Sequence, residues 1–143
     1  MTTALNNRAV LIVMAVFAVF NTLLLTGNGL VMLGAPLYWY ETVPGVVATG
    51  FFNQHFIRDI GFLYLVLGLA FGLGWFRPTH RIVLWGGATL WLGLHSALHF
   101  WEVAVGICGP SAIPRDFFGV TSPALIGMAM TYWAFQLSRA RAI

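Results

Sequence analysis

Six ionisable side chains lie inside or at the start of long apolar segments, and they are the first candidates for a functional site. They are His55, Arg58, Asp59, His95, His99 and Glu102. An ionisable group near the centre of a bilayer costs about 3 kcal/mol on insertion scales, so such residues are retained mainly where they serve a function. These six residues are therefore the first candidates for any chemistry that the chain performs.

The spacing of these residues places them on two polar stripes. Along a helix each residue turns by about 100°, so His95, His99 and Glu102 fall within roughly 60° of one another. His55 and Asp59 are four residues apart and also share a face. The pattern predicts one stripe on each of two consecutive helices.

Three imidazoles and two carboxylates supply the nitrogen and oxygen ligands that Zn, Cu and Fe accept. Metal sites in helix bundles are built from side chains on facing helices. The sequence therefore predicts a transition-metal site with the ligands His55, Asp59, His95, His99 and Glu102. An alternative is haem b held by two of the three histidines in that set.

Two other interpretations stay open beside the metal or haem site. The polar groups form a structural network, in which Arg58 pairs with Glu102 and Asp59 accepts from a histidine, because buried polar groups need partners even without a metal. The chain is then an accessory subunit of a larger membrane complex or a homo-oligomer. In the second interpretation, the same histidines and carboxylates form a proton or small-solute pathway. No motif indicates a particular reaction, so whether the chain is an enzyme is left undecided.

The composition predicts that these stripes lie within a membrane protein. Of the 143 residues, 59% are hydrophobic and 8% are charged, and the mean hydropathy is +0.85. These values lie outside the range of water-soluble domains. The basic residues are seven arginines, placed singly or in pairs at the ends of apolar runs. That distribution is typical of membrane topology and does not indicate binding to nucleic acid.

Four apolar runs, each close to the roughly 20 residues that a helix needs to cross a bilayer, predict four spans. The sequence predicts an all-α fold, a four-helix membrane bundle formed by a single transmembrane domain over residues 1–143, with spans at about 9–33, 54–76, 82–105 and 117–137. The first run is long enough to require tilt or a break at Gly27–Gly29 before Pro36 closes it. Residues 36–53 are predicted to form an interfacial loop, and Ser122–Pro123 to start the last helix.

The arginines predict the orientation of these spans. With four passes, both termini and the middle connection share one side, which carries Arg8, Arg77, Arg81, Arg139 and Arg141. Arginine near span ends is retained in the cytoplasm. The prediction is a bacterial inner-membrane protein with cytoplasmic termini and with both polar stripes near the periplasmic surface. Cys108 is the only cysteine, so no disulfide forms within the chain.

Overall fold

A computed structural model describes residues 7–141. All regular secondary structure in this range is helical, so the predicted all-α class is confirmed for this part of the chain. Four long helices are joined by shorter ones. The helices are α1 (Arg8–Gly34), α2 (Pro36–Thr42), α3 (Gln54–Phe76), α4 (Arg81–Ala104), α5 (Ala112–Asp116) and α6 (Ser122–Arg141). Two 3-10 turns lie at Val46–Ala48 and Pro78–His80, and a π-helical turn at Phe117–Thr121 leads into α6.

Two of the helices are long and apolar enough to cross a membrane. These are α1, with 27 residues, and α3, with 23 residues. At about 1.5 Å per residue they are roughly 40 and 34 Å long, against about 30 Å of hydrocarbon in a bilayer. Membrane crossing by α4 and α6, and hence the four-span membrane bundle, stays a prediction.

The four long helices pack against one another in chain order. α1 packs along much of α3, and α4 packs along α6. α3 also contacts α4, and α1 contacts α6, so the contacts close a ring. Leu25, Phe71, Trp85, Leu92 and Met130 are fully buried between these helices.

Small residues set how closely α1 approaches α3. A Cβ atom added to Gly29 would lie 2.7 Å from the carbonyl oxygen of Gly61, and one added to Gly61 would lie 3.0 Å from the Cβ of Met32. Such backbone proximity is typical of membrane helix pairs built on small residues. The sequence predicted either tilt or a helix break at Gly27–Gly29. No break occurs, because α1 continues from Arg8 to Gly34 with Gly29 packed against α3.

The segment after α1 is more ordered than predicted. Residues 36–53, predicted to be a loop, contain α2 and a 3-10 turn. Pro36 ends α1 and begins α2, because proline is tolerated at the first position of a helix. The Trp39 indole N–H donates to the Asn28 side-chain oxygen at 2.7 Å, which holds α2 against α1.

The last long helix begins as predicted at Ser122 and Pro123, and it continues past the predicted end at residue 137 to Arg141. Before it, α5 and the π-helical turn form an unbroken helical lead-in from Ala112 to Thr121. This lead-in brings Asp116 beside α4.

The glycine contact can be tested with a matched pair of variants. Gly29→Ala places a methyl group against the Gly61 backbone, and overpacking of this kind costs about 1 to 3 kcal/mol. Gly27→Ala is the control, because nothing lies within 4 Å of its added Cβ. Thermal unfolding in detergent should show a lower Tm for Gly29→Ala and an unchanged or higher Tm for Gly27→Ala. Equal Tm values for the two variants would contradict the close packing of α1 on α3.

Candidate functional site

A histidine and an aspartate join α4 to the segment that precedes α6. His99 lies near the end of α4, and its Nδ1 is 2.9 Å from Oδ2 of Asp116, the last residue of α5. The two side chains are 28% and 12% exposed, so the contact is largely shielded from solvent. Together with His95, one turn earlier on α4, these residues are called here the His99 cluster.

Asp116 is held from its other side by Arg115. The Arg115 Nε lies 2.6 Å from Oδ1, and Nη2 lies 2.9 Å from Oδ2, so the pair is bidentate. Burial raises the pKa of Asp116, but hydrogen bonds from Arg115 and His99 outweigh it and hold that pKa below its ordinary value of 3.8. Asp116 is therefore ionised at neutral pH and acts only as an acceptor. It follows that His99 donates from Nδ1, which leaves Nε2 as the basic nitrogen of the ring.

Arg115 packs against the segment that connects α1 to α3. Gly45 has φ +91°, a left-handed conformation that side chains rarely adopt, and any Cβ there would collide with the Arg115 guanidinium. Arg115 also interacts with Cys108, and hydrogen bonding to Asp116 is the main cause that raises the pKa of Arg115. The connection between α1 and α3 and the connection between α4 and α6 thus meet at the Arg115 guanidinium.

His95 continues the row of polar groups from His99 into the interior. Its ring lies edge-on to the His99 ring at 4.8 Å and stacks on Trp91 at 4.9 Å. Its Nε2 lies 3.4 Å from the hydroxyl oxygen of Tyr64, which is buried on α3. The row therefore runs from Arg115 through Asp116, His99 and His95 to Tyr64.

A small cavity lies beside His99 and Asp116. Its volume is about 10 Å³, and Val103, Ala112 and Thr121 form part of its wall. A space of this size accommodates about one water molecule, so it suits a water or a single ion and excludes an organic substrate.

The structure brings together only some of the predicted ligands. His95 and His99 are in ring contact, whereas His55 pairs with Asp59 on its own helix at 3.2 Å, with side chains 89% and 58% exposed. Glu102 is partly buried, and its backbone carbonyl accepts from the N–H groups of Ile107 and Cys108. Within residues 7–141, no group of three or more His, Cys, Asp or Glu side chains is arranged to hold a metal ion. The five-residue ligand set stays a prediction.

Arg58 has a different partner from the one expected in the structural interpretation. Its Nε donates to the carbonyl oxygen of Leu33 at 3.1 Å, in the last turn of α1, rather than pairing with Glu102. The last carbonyls of a helix lack intrahelical donors and carry the negative end of the helix dipole. Arg58 therefore caps α1, while Asp59 lies 3.2 Å from a histidine, His55, on its own helix.

Three residues of the row were missed from the sequence, namely Tyr64, Arg115 and Asp116. Asp116 lies 17 residues after His99, and this separation follows no helical period because α5 and its flanking turns set it. The one available signal was an acidic residue directly before the fourth apolar run.

Comparison with protein-family models, with curated proteins and with solved structures found no match. The function is therefore argued from the geometry of the site.

The state of Asp116 predicts a defined pH dependence. Because its folded pKa lies below 3.8, its contribution to stability is fully present above that value and is lost as the pH falls through the folded pKa. Asp116→Asn should lower the free energy of unfolding by about 1 to 3 kcal/mol near neutral pH and remove much of the fall in Tm below about pH 4. Denaturation in detergent across this pH range measures both effects.

Asp59→Asn is the matched control for this experiment, because Asp59 also pairs with a histidine but is 58% exposed. Exposed ion pairs contribute little to stability, so its Tm and pH profile should follow those of the unaltered protein. An Asp116→Asn variant that keeps the original acid sensitivity would contradict the assigned role of Asp116.

Proposed function

We propose that this chain is a small integral membrane protein of a bacterial inner membrane, crossed by α1, α3, α4 and α6, with both termini in the cytoplasm. The length and apolar character of α1 and α3 support crossing by these two helices. α4 and α6 pack along them and contain 24 and 20 residues, or about 36 and 30 Å of helix. Large apolar side chains on the outer faces, such as Leu23, Leu69 and Leu90, are more than half exposed and suit contact with lipid.

The orientation can be tested with reporter fusions. Arg8, Arg77, Arg81 and Arg139 lie at the ends of α1, α3, α4 and α6 that share one side, whereas Arg115 lies on the other side. A reporter fused after residue 143 should therefore read cytoplasmic, and reporters inserted near Gly45 and Ser111 should read periplasmic. A periplasmic C-terminus would mean an odd number of crossings and would contradict the proposal.

Within this membrane protein, we propose that the His99 cluster is a transition-metal site reached from the periplasmic side. The carrying observation is the contact between His99 and Asp116. Metal-binding histidines almost always donate their second ring N–H to a carboxylate, carbonyl or water, which fixes the tautomer and raises the basicity of the ligand nitrogen. Asp116 places His99 in that arrangement, with Nε2 as the metal-binding atom.

The surroundings of His99 supply the rest of the site. His95 offers a second imidazole in ring contact, and the adjacent cavity is of the size of one ion or water. Two imidazoles suit Zn, Cu or Fe, with water or an oxygen ligand in the remaining positions. His55 and Asp59, at the start of α3, and Glu102, near the end of α4, are the candidates to complete the ligand set. Haem has less support, because His95 and His99 share one helix face and cannot bind opposite sides of one haem plane, and His55 is largely exposed and paired with Asp59.

A proton pathway is the second candidate function, favoured by the contact of Tyr64 with His95. Tyr64 lies ten residues into α3, about 15 Å along its axis, which is near the middle of a bilayer. The row from Asp116 to Tyr64 thus links the periplasmic surface to the membrane interior through groups that bind protons. The two proposals share their residues and differ in whether stoichiometric metal is bound.

Metal content separates these functions. The purified protein, reconstituted with Zn²⁺, Cu²⁺ or Fe²⁺ and desalted, should retain about one metal ion per chain. His99→Gln should lose it, because an amide is a poor ligand for these metals. Asp116→Asn should weaken metal affinity by about 10- to 100-fold, as expected for loss of an orienting carboxylate. Elemental analysis and competition with a chelator measure these quantities.

His80→Gln is the control variant for the metal experiment. His80 lies in the connection at the opposite end of α4, where its ring contacts Thr79, so its substitution should leave metal content unchanged. Absence of bound metal from the folded, reconstituted protein would reject the metal site. In that case Tyr64→Phe tests the proton pathway, since it removes one hydroxyl from the row and should slow proton uptake by proteoliposomes.

A further inference from the structure

The outer face of α3 carries a row of exposed side chains that runs the length of the helix. Successive members are four and three residues apart, and each is more than half exposed. The row consists of His55, Asp59, Phe62, Val66, Leu69 and Leu73. The last four are apolar, whereas the first two are a histidine and a carboxylate in contact at 3.2 Å. These six residues are called here the α3 seam.

The polar start of the seam distinguishes α3 from the other long helices. A spacing of four and three is common to any exposed helix face, so it does not by itself indicate a contact. Within residues 7–141, Asp59 is the one carboxylate exposed on the outer face of a long helix. The corresponding faces of α1, α4 and α6 present apolar side chains such as Val16, Leu23, Leu90, Leu94, Leu125 and Met128.

The depth of Asp59 makes contact with lipid unfavourable. Asp59 lies five residues after Gln54, the first residue of α3, or about 8 Å along the helix axis. Since α3 is only about 4 Å longer than the hydrocarbon is thick, Asp59 lies within the hydrocarbon when α3 crosses the membrane. Ionisable side chains at such a position almost always face other protein groups, because lipid tails offer no hydrogen bonds. The start of the seam is therefore a place where a further protein surface is expected.

The charges of the seam favour a second copy of the chain as that surface. A carboxylate accepts at both oxygens, and the contact with His55 uses Oδ2 of Asp59. When two copies are related by a two-fold axis along the membrane normal, each residue near the axis lies at the depth of its counterpart. Oδ1 of Asp59 then lies within reach of His55 of the partner subunit. A seam with an acidic and a basic group one helical turn apart thus complements itself.

We propose that the α3 seam is the contact surface of a homodimer, in which two copies of α3 pack in parallel and their His55 and Asp59 pairs meet near the periplasmic surface. Below these pairs, the four apolar residues of the seam have the spacing of a left-handed helix pair. The inference rests on the proposed crossing of the membrane by α3. With His55 and Asp59 in the interface, Glu102 and water are left to complete the shell of the proposed metal.

Cross-linking in native membranes tests the surface. Val66→Cys lies in the middle of the seam, and Leu90→Cys is its matched control, because both side chains are more than half exposed and lie at similar depths in α3 and α4. Oxidation with iodine, which enters membranes, should convert Val66→Cys largely to a covalent dimer and leave Leu90→Cys largely as a monomer. The unaltered chain shows how much product forms through Cys108.

Removal of the charges tests the proposed polar contact. Asp59→Leu should raise the dissociation constant of the dimer by about tenfold, the loss expected for polar contacts between membrane helices. His55→Leu should act in the same direction. Glu41→Leu is the control, because it removes an exposed carboxylate on α2, outside the seam. Energy transfer between labelled copies in vesicles, as lipid is added, measures the constant without a detergent that would cover the exposed faces.

Three results would overturn the homodimer. The first is equal cross-linking of Val66→Cys and Leu90→Cys, and the second is an unchanged dissociation constant in Asp59→Leu. The third is a Val66→Cys product that contains a different protein, which would assign the seam to another subunit. Extraction of the protein from cells without detergent would instead reject the membrane placement itself, so failure of the dimer and failure of the proposed function are distinguishable.

Discussion

The hydrogen bond between His99 and Asp116 is the contact on which the candidate site depends. It joins α4 to the lead-in of α6 across a connection of irregular backbone, and both partners are largely shielded. A shielded carboxylate is stable only with several donors, which Arg115 and His99 provide. The Arg115 guanidinium in turn occupies the space that a side chain at position 45 would fill, so the connections on this side of the molecule pack together around it.

The long helices provide the frame against which this contact forms. α1 and α3 meet at Gly29 and Gly61, where their backbones nearly touch. α6 is tied to α1 by the Asn21 side-chain amide, which donates to the carbonyl oxygen of Pro123 at 3.1 Å in fully buried surroundings. That bond fixes the first turn of α6, and the π-helical turn and α5 lie directly before it. The position of Asp116 therefore depends on the packing of α1 as well as of α4.

The sequence predicted the long helices well because their signals are local. Apolar runs, the Pro123 start and the Pro36 stop act over a few residues, and α3 has the bounds that were predicted for the second span. The sharing of one helix face by His95 and His99 is equally local, and their rings are in contact. Asp116 and Tyr64 were missed because their distances from the histidines depend on helix packing and on the α5 segment, neither of which has a sequence period.

Burial explains why two similar histidine–aspartate pairs differ in how firmly they fix their side chains. His55 with Asp59 and His99 with Asp116 are both imidazole–carboxylate contacts, at 3.2 and 2.9 Å. The first pair is mostly exposed, so water competes for both groups and the contact fixes neither of them. In the second pair, low exposure and the bidentate Arg115 leave Asp116 one orientation and His99 one tautomer. A ring nitrogen of fixed direction is what the proposed metal site or proton pathway requires, so both proposals rest on the contact of α4 with α5 and not on the predicted stripe of α3.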